Sequence, residues 1–267
     1  MLIAIKGAGD LATGIACRLH RCGFQIVCTD IEKPTTVRCT VAFSRAVYDG
    51  AATVTGVTAR LAKDAADARR IIGEGEIPIL IDPEYKEAKK LEPAVLVDAI
   101  IAKKNLGTTR DMAPLTIALG PGFVAGQDVD VVVETKRGHK LGRIIRAGSA
   151  APNSGVPGVI GGYGAERVIH LPAAGVFRNR RAIADFVEAG ETIALLETPE
   201  GETVPVTTQI SGILRGLLRD GYPVPKGFKV ADVDPRREEL ENCFLISDKA
   251  RCIAGSVLEL VAAELWK

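Results

Sequence analysis

"IKGAGDLATG", residues 5–14, decides how the first half of this chain folds. An apolar run enters two glycines, passes an Asp and leaves through residues that favour a helix. Gly7-x-Gly9-x-x-Ala12 matches the glycine pattern of a strand–turn–helix that cradles a dinucleotide pyrophosphate. The first glycine permits the tight turn, the second lets backbone approach phosphate, and Ala12 lets the helix pack close to the sheet. N–H groups at the helix start would face the anion. Asp30 closes the next apolar run, 23 residues beyond Gly7, at the spacing of a ribose-binding carboxylate.

Asp10 is the odd member, because a carboxylate repels a bare pyrophosphate. Its side chain turns away as a helix-start residue worth about 0.3–1 kcal/mol in the helix dipole, or a divalent cation such as magnesium bridges it to phosphate, or it meets a donor on the ligand.

Outward from this turn, apolar runs alternate with helical patterns. They predict strands at 2–5, 25–29, 53–57, 77–81, 94–99, 115–119 and 129–133, and helices at 12–21, 58–72 and 83–90. That alternation implies a mostly parallel α/β sheet covered on both faces. A second glycine turn, "ALGPGFVAG" (118–126), brings Gly120 and Gly122 to the end of another strand. "DAIIAKKNLGTTRD" (98–111) supplies Lys103, Lys104, Asn105, Arg110 and Asp111, and "VVVETKRGHK" (131–140) supplies Glu134, Lys136, Arg137 and His139. Four polar clusters at the carboxyl ends of strands outline an anion-friendly crevice.

From residue 146 the texture changes to Gly, Pro, Ser and Ala, and residues 168–234 read as all-β. "GVFRNRRAIADFVEAGETIA" from Gly175 and "GILRGLLRDGYPVPKGFKVA" from Gly212 place Gly, Val, Gly and Ala at matched offsets, a repeat of 37 residues. This resembles the biotinyl/lipoyl-type barrel-sandwich hybrid, but the connection 197–212 has no Lys to modify, so a covalent carrier role is not expected. Residues 247–267 carry apolar positions at helical spacing. The expected fold class is therefore α/β, a Rossmann-like sheet in 1–145, a barrel-sandwich-hybrid-like β domain in 146–240, and a C-terminal helix in 241–267 that packs back.

A net charge of +1 and 4% aromatic residues leave neither a field nor stacking platforms for nucleic acid. No run reaches the ~18–20 apolar residues of a spanning helix, and no signal peptide is read at the N-terminus. Six cysteines without a CxxC point to reduced thiols and the cytoplasm. The three histidines lack metal-ligand spacing.

At "IKGAGDLATG", "VDAIIAKKN", "LGPGFVAGQDVDVVVETKRGHKLG", "APNSGVPG", "KVADVDPR" and "ISDKAR" the chain resembles the selenium-dependent molybdenum hydroxylase accessory proteins of the YqeB type. Its N-terminal half looks like the Rossmann domain of xanthine dehydrogenase accessory proteins. The resemblance departs at Cys39, where a basic residue is expected. It implies a maturation factor that binds molybdopterin cytosine dinucleotide or another nucleotide, with or without magnesium, and docks a molybdenum hydroxylase apoenzyme. Two other readings stay open: an NAD(P)-dependent oxidoreductase with Lys103 or His139 as proton donor, and a non-catalytic interaction protein. A homo-oligomer is compatible with all three.

Overall fold

The computed structural model describes residues 1–265; the last two positions of the expected C-terminal helix lie outside them. The chain forms two compact units, Met1–Pro34 with Val41–Ser154 and Ile246–Lys267, and Thr35–Thr40 with Gly155–Leu245.

The first unit contains β1 (Leu2–Lys6), α1 (Asp10–Arg21), β2 (Gln25–Asp30), α2 (Ala46–Asp49), β3 (Ala51–Val54), β4 (Val57–Ala62), α3 (Ala65–Gly73), β5 (Ile77–Ile81), α4 (Lys86–Lys89), β6 (Val95–Asp98), β7 (Leu115–Leu119), β8 (Val124–Ala125), β9 (Val131–Val133), β10 (Ile144–Ile145), β11 (Gly148–Ser149) and α5 (Asp248–Glu264). Nine strands form one sheet in the order β10-β9-β7-β6-β1-β2-β5-β4-β3. Its centre is parallel, but β3 and β10 add antiparallel edges. The crossovers β6–β7 and β7–β9 contain no α-helix.

This mixed sheet corrects the expected Rossmann-like arrangement. Part of the physical reason is local. Thr55 and Gly56 both take positive φ, 47° and 80°, so "TVTGVT" closes a hairpin. The expected helix over 58–72 therefore begins with strand β4 and turns helical only at Ala65.

The sheet buries both faces because its central strands are apolar on both sides. Ile3, Ile5, Val97, Ile117 and Val131 pack with Ile15, Leu19, Ile253 and Val257 of α1 and α5. Ala4, Val27, Leu80 and Leu96 face α3 and α4 through Ala68, Ile71, Tyr85 and Ala88. A Cβ on Gly14 would lie 2.8 Å from Ala250 Cβ and 3.1 Å from Ile246 Cγ2, so α1 and α5 meet at a glycine.

The second unit contains β12 (Val168–His170), β13 (Gly175–Asn179), β14 (Phe186–Val187), β15 (Thr192–Glu197), β16 (Thr203–Thr207), β17 (Gly212–Leu217), β18 (Tyr222–Val224) and β19 (Lys229–Asp234). They form two four-stranded antiparallel sheets, β12-β19-β17-β14 and β16-β15-β13-β18. This two-sheet arrangement replaces the expected barrel-sandwich-hybrid-like domain. Phe177, Ile193, Leu196, Leu214, Val230 and Val233 fill its core.

Candidate functional site at the carboxyl edge of the sheet

The chain runs from β1 to β2 and on to the edge strand β3, comes back through β4 to β5 beside β2, and then crosses to β6 on the other side of β1. The carboxyl ends of β1 and β6 therefore mark the point where the strand order reverses, the place where open α/β sheets bind ligands.

The glycine turn occupies that point. Gly7 has φ +94°, a conformation that strains any residue with a Cβ, and its amide donates to Thr29 O at 2.7 Å. A Cβ there would also lie 3.1 Å from the Ala99 carbonyl group. Buried Thr13 braces the turn from below: its hydroxyl donates to Ala8 O at 3.2 Å and accepts from Phe43 N at 2.8 Å. Gly9 is the N-cap of α1, and the first helical turn has no side-chain cap. A helix start without a cap leaves its donors to whatever faces them. Ala12 is fully buried where α1 meets the sheet.

Asp30 accepts from Ala8 N at 3.1 Å and from Ile31 N at 2.8 Å. Burial pushes its carboxyl above the usual carboxylate range, against the pull of those two amides. It fastens the glycine turn through Ala8, and each oxygen retains a lone pair.

Lys6, the residue before Gly7, is 2% exposed. Its ammonium donates to Thr108 Oγ1 at 2.8 Å, and that hydroxyl donates to Asp98 Oδ2 at 2.6 Å. Asp98 and Thr108 are buried too. Sequence reading passed over this trio because a lysine beside an apolar run is by default a surface residue.

The 98–108 loop brings the next cluster. Ile101 and Lys103 both adopt left-handed φ, 59° and 64°, which costs energy for residues other than glycine. Asn105 ties the loop's end by accepting from Gly107 N and Thr108 N at 2.9 and 2.8 Å. Gly122 fits against this loop only because it lacks a side chain: a Cβ would lie 2.6 Å from Lys104 Cα and N. Gly120 abuts the Thr135 side chain in the same way. Lys103 and Lys104 are exposed.

Glu134 ends its strand buried, and its carboxylate accepts from Thr135 N, Lys136 N and Ala151 N at 2.7–2.8 Å. Three amides on one carboxylate make it a fastening for that corner. Arg137 is forked to Asp248 at 2.6 and 2.9 Å. His139 lies on the exposed 136–140 turn.

Lys249, on the first turn of α5, is the cation that sequence reading missed. Burial lowers its pKa most, with Arg137 adding to the fall, while Asp10, Glu134 and Asp248 oppose it. The sequence does signal a helix start there, since Ser247 Oγ accepts from Ala250 N at 3.1 Å as an N-cap. Nothing local says that this helix docks beside α1. Asp10 thus sits in the field of a lysine as well as in the dipole of its own helix. Among the described residues, no group of three or more His, Cys, Asp or Glu is placed to hold a metal ion.

No family model matches the chain. It is 50% identical over 258 residues to the uncharacterized protein YqeB of Escherichia coli, an alignment covering 97% of this chain and 47% of that one. It is 25% identical over 187 residues to the nickel-cobalt-cadmium resistance protein NccB of Alcaligenes xylosoxydans, covering 70% and 43%. The chain therefore spans about half the length of the curated relatives it matches. Among solved structures it is similar to an aspartoacylase family protein from Mesorhizobium loti, with a TM-score of 0.33, 12% identity and coverage of 88% and 85%. A succinylglutamate desuccinylase/aspartoacylase from Rhodobacter sphaeroides gives a TM-score of 0.30 at 12% identity, with coverage of 87% and 84%.

These findings correct the resemblance read from the sequence. The relative 50% identical to this chain is an uncharacterized YqeB, so no role comes over with that likeness. The expected role in molybdenum hydroxylase maturation finds no support in these relatives. No helix among the described residues is long and apolar enough to cross a membrane.

Proposed function

We propose that the protein binds a nucleotide through its phosphates at the Gly7–Gly9 turn. The observation that carries this reading is the placement of a glycine-capped helix start, without a side-chain cap, at the reversal point of the sheet. Backbone donors would take the phosphate oxygens. Asp30 stands at the end of β2, where a ribose hydroxyl reaches it. Lys249 supplies positive charge from α5, and Asp10 moderates that charge until an anion arrives.

The test is a thermal-shift panel of CTP, CDP, ATP, NAD and NADH, each with and without magnesium, on the wild type and Asp10→Ala. A ligand at 100 times its Kd stabilises by roughly 2.7 kcal/mol. A shift with at least one nucleotide supports the site. Loss of a magnesium-dependent shift in Asp10→Ala makes the carboxylate a cation bridge, whereas a retained shift makes it a helix-start residue. No shift with any nucleotide contradicts the reading.

A further inference from the structure

The loop that leaves β6 is tied at both ends to one residue and makes no hydrogen bond in its middle. The Lys6 carbonyl accepts from Ala99 N at 2.8 Å, and the Lys6 ammonium donates to Thr108 Oγ1 at 2.8 Å. Asn105 secures the far end again, donating to Thr108 O and accepting from Thr108 N, both at 2.8 Å. Between these ties, Ile101, Ala102, Lys103 and Lys104 make no hydrogen bond to any described residue, through backbone or side chain. Backbone amides in folded chains are strong donors that ordinarily find partners in ladders, turns or caps. This run of amides keeps its donors unspent.

The local conformation gathers those donors. From Ile100 to Lys104 only Ile101 and Lys103 have positive φ, 59° and 64°, so φ alternates in sign from residue to residue. Backbone that alternates between right- and left-handed conformations turns successive N–H groups into a nest, a concavity that takes anions. The alternation is strained. A β-branched residue such as Ile101 is an outlier at positive φ, and such strain persists where the surroundings impose it. Two glycines impose it here. A Cβ on Gly122 would lie 2.6 Å from Lys104 Cα and N and 2.8 Å from Lys103 C, and one on Gly7 would lie 3.2 Å from Ile100 Cα. The loop is therefore held between two close backbone contacts.

Charge agrees with the backbone. Lys103 and Lys104 are exposed and have no ion-pair partner among the described residues. Asp98, the acid at the start of the loop, is buried and accepts from Ile100 N at 3.2 Å and Thr108 Oγ1 at 2.6 Å. Its carboxylate is engaged at the base of the loop.

We infer that residues 101–104 form an anion site of their own. It takes a phosphate group on the amides of Ile101, Ala102 and Lys103, with the ammonium groups of Lys103 and Lys104 beside it. Two unpaired cations favour a group with close to two negative charges over a carboxylate with one. The site adjoins the Gly7–Gly9 turn but does not depend on a nucleotide binding there.

The test is amide NMR of the full protein in Tris chloride, titrated with inorganic phosphate and, separately, with acetate. The amides of Ile101 to Lys103 should move in a saturable way with phosphate, and acetate should bind about tenfold more weakly or worse. Two variants separate backbone from charge. Ala102→Pro removes one nest amide and keeps both lysines. It should weaken phosphate binding about tenfold, the loss of one charge-assisted hydrogen bond. Lys103→Asn removes a charge but keeps an amide on a residue that tolerates left-handed φ, and should cost about threefold, as for an exposed charge. Melting curves check that both fold; if Ala102→Pro does not, the wild-type amides decide alone. Amides of Ile101 to Lys103 that stay fixed, or acetate binding as tight as phosphate binding, overturn the proposal. Phosphate binding that survives Ala102→Pro but falls with Lys103→Asn also overturns it, by making the lysines a surface patch without a nest. The amides of Gly7 to Leu11 report the glycine turn separately, so either site can fail while the other stands.

Discussion

Single residues at the sheet edge carry opposed demands of stability and binding. Lys249 shows this most clearly. Its pKa is lowered in the fold, chiefly by burial, so at neutral pH the folded state holds a charge that the unfolded chain holds more easily. Lys249→Met should therefore raise the Tm of the ligand-free protein at neutral pH. The gain should shrink as pH rises through the lowered folded value towards 10.5, because the wild-type side chain sheds its proton there and the penalty goes with it. The same variant should reduce any nucleotide-dependent shift. Melting curves from neutral to alkaline pH, with and without nucleotide, check both parts; a lower Tm at neutral pH contradicts the first.

The cysteines offer an independent check at the same scale. Burial pushes the Cys17 thiol up to about 11 and the Cys28 and Cys243 thiols upward as well, whereas Cys22 and Cys252 are exposed. Thiolates are the reactive species, so iodoacetamide on the native protein should label Cys22 and Cys252 and spare Cys17, Cys28 and Cys243. Peptide mapping reads the pattern directly.

At the scale of elements, what the sequence made legible was local. The glycine turn, the ends of β5 and β7 and the 37-residue offset can be read from neighbouring residues. The hairpin of β3 and β4 was hidden because Thr55 takes a left-handed conformation that threonine seldom adopts. Non-local choices were not legible either: α5 docking on α1, or strands of one repeat pairing with the other. Lys6 and Lys249 belong to the candidate site through just such choices.

The contact between α1 and α5 is testable through Gly14. Gly14→Val should destabilise by about 1–3 kcal/mol, the cost of forcing bulk into a packed interface, since the added carbon meets Ala250 and Ile246. Ala250→Gly should restore part of that loss in the double variant, despite its own helix cost of about 1 kcal/mol. Chemical denaturation of the four proteins gives the coupling. Additive effects would mean that the two helices do not meet there.

For the whole molecule, the order of chain segments and the order of packing differ. Residues 246–265 come last in the described sequence yet complete the first unit. Ile253, Val257, Leu260 and Val261 are buried against its sheet. Each such side chain contributes about 1.5–3 kcal/mol, so together they approach the roughly 5–15 kcal/mol that stabilises a typical domain. A chain ending at Leu245 should lose cooperative unfolding of the first unit and expose its sheet face. Calorimetry and dye binding would show this, and an unchanged transition would place α5 outside the fold's stabilising core.

Phosphate binding at the Gly7–Gly9 turn is the proposal on which the site depends. Its most direct test is backbone amide NMR of the full protein during titration with inorganic pyrophosphate and then with the nucleotide that shifts the melting temperature most. The amides of Gly7 to Leu11, with that of Lys249, should move in a saturable way for both. If those amides stay fixed while the nucleotide still stabilises the protein, the ligand binds elsewhere and the glycine turn is architecture.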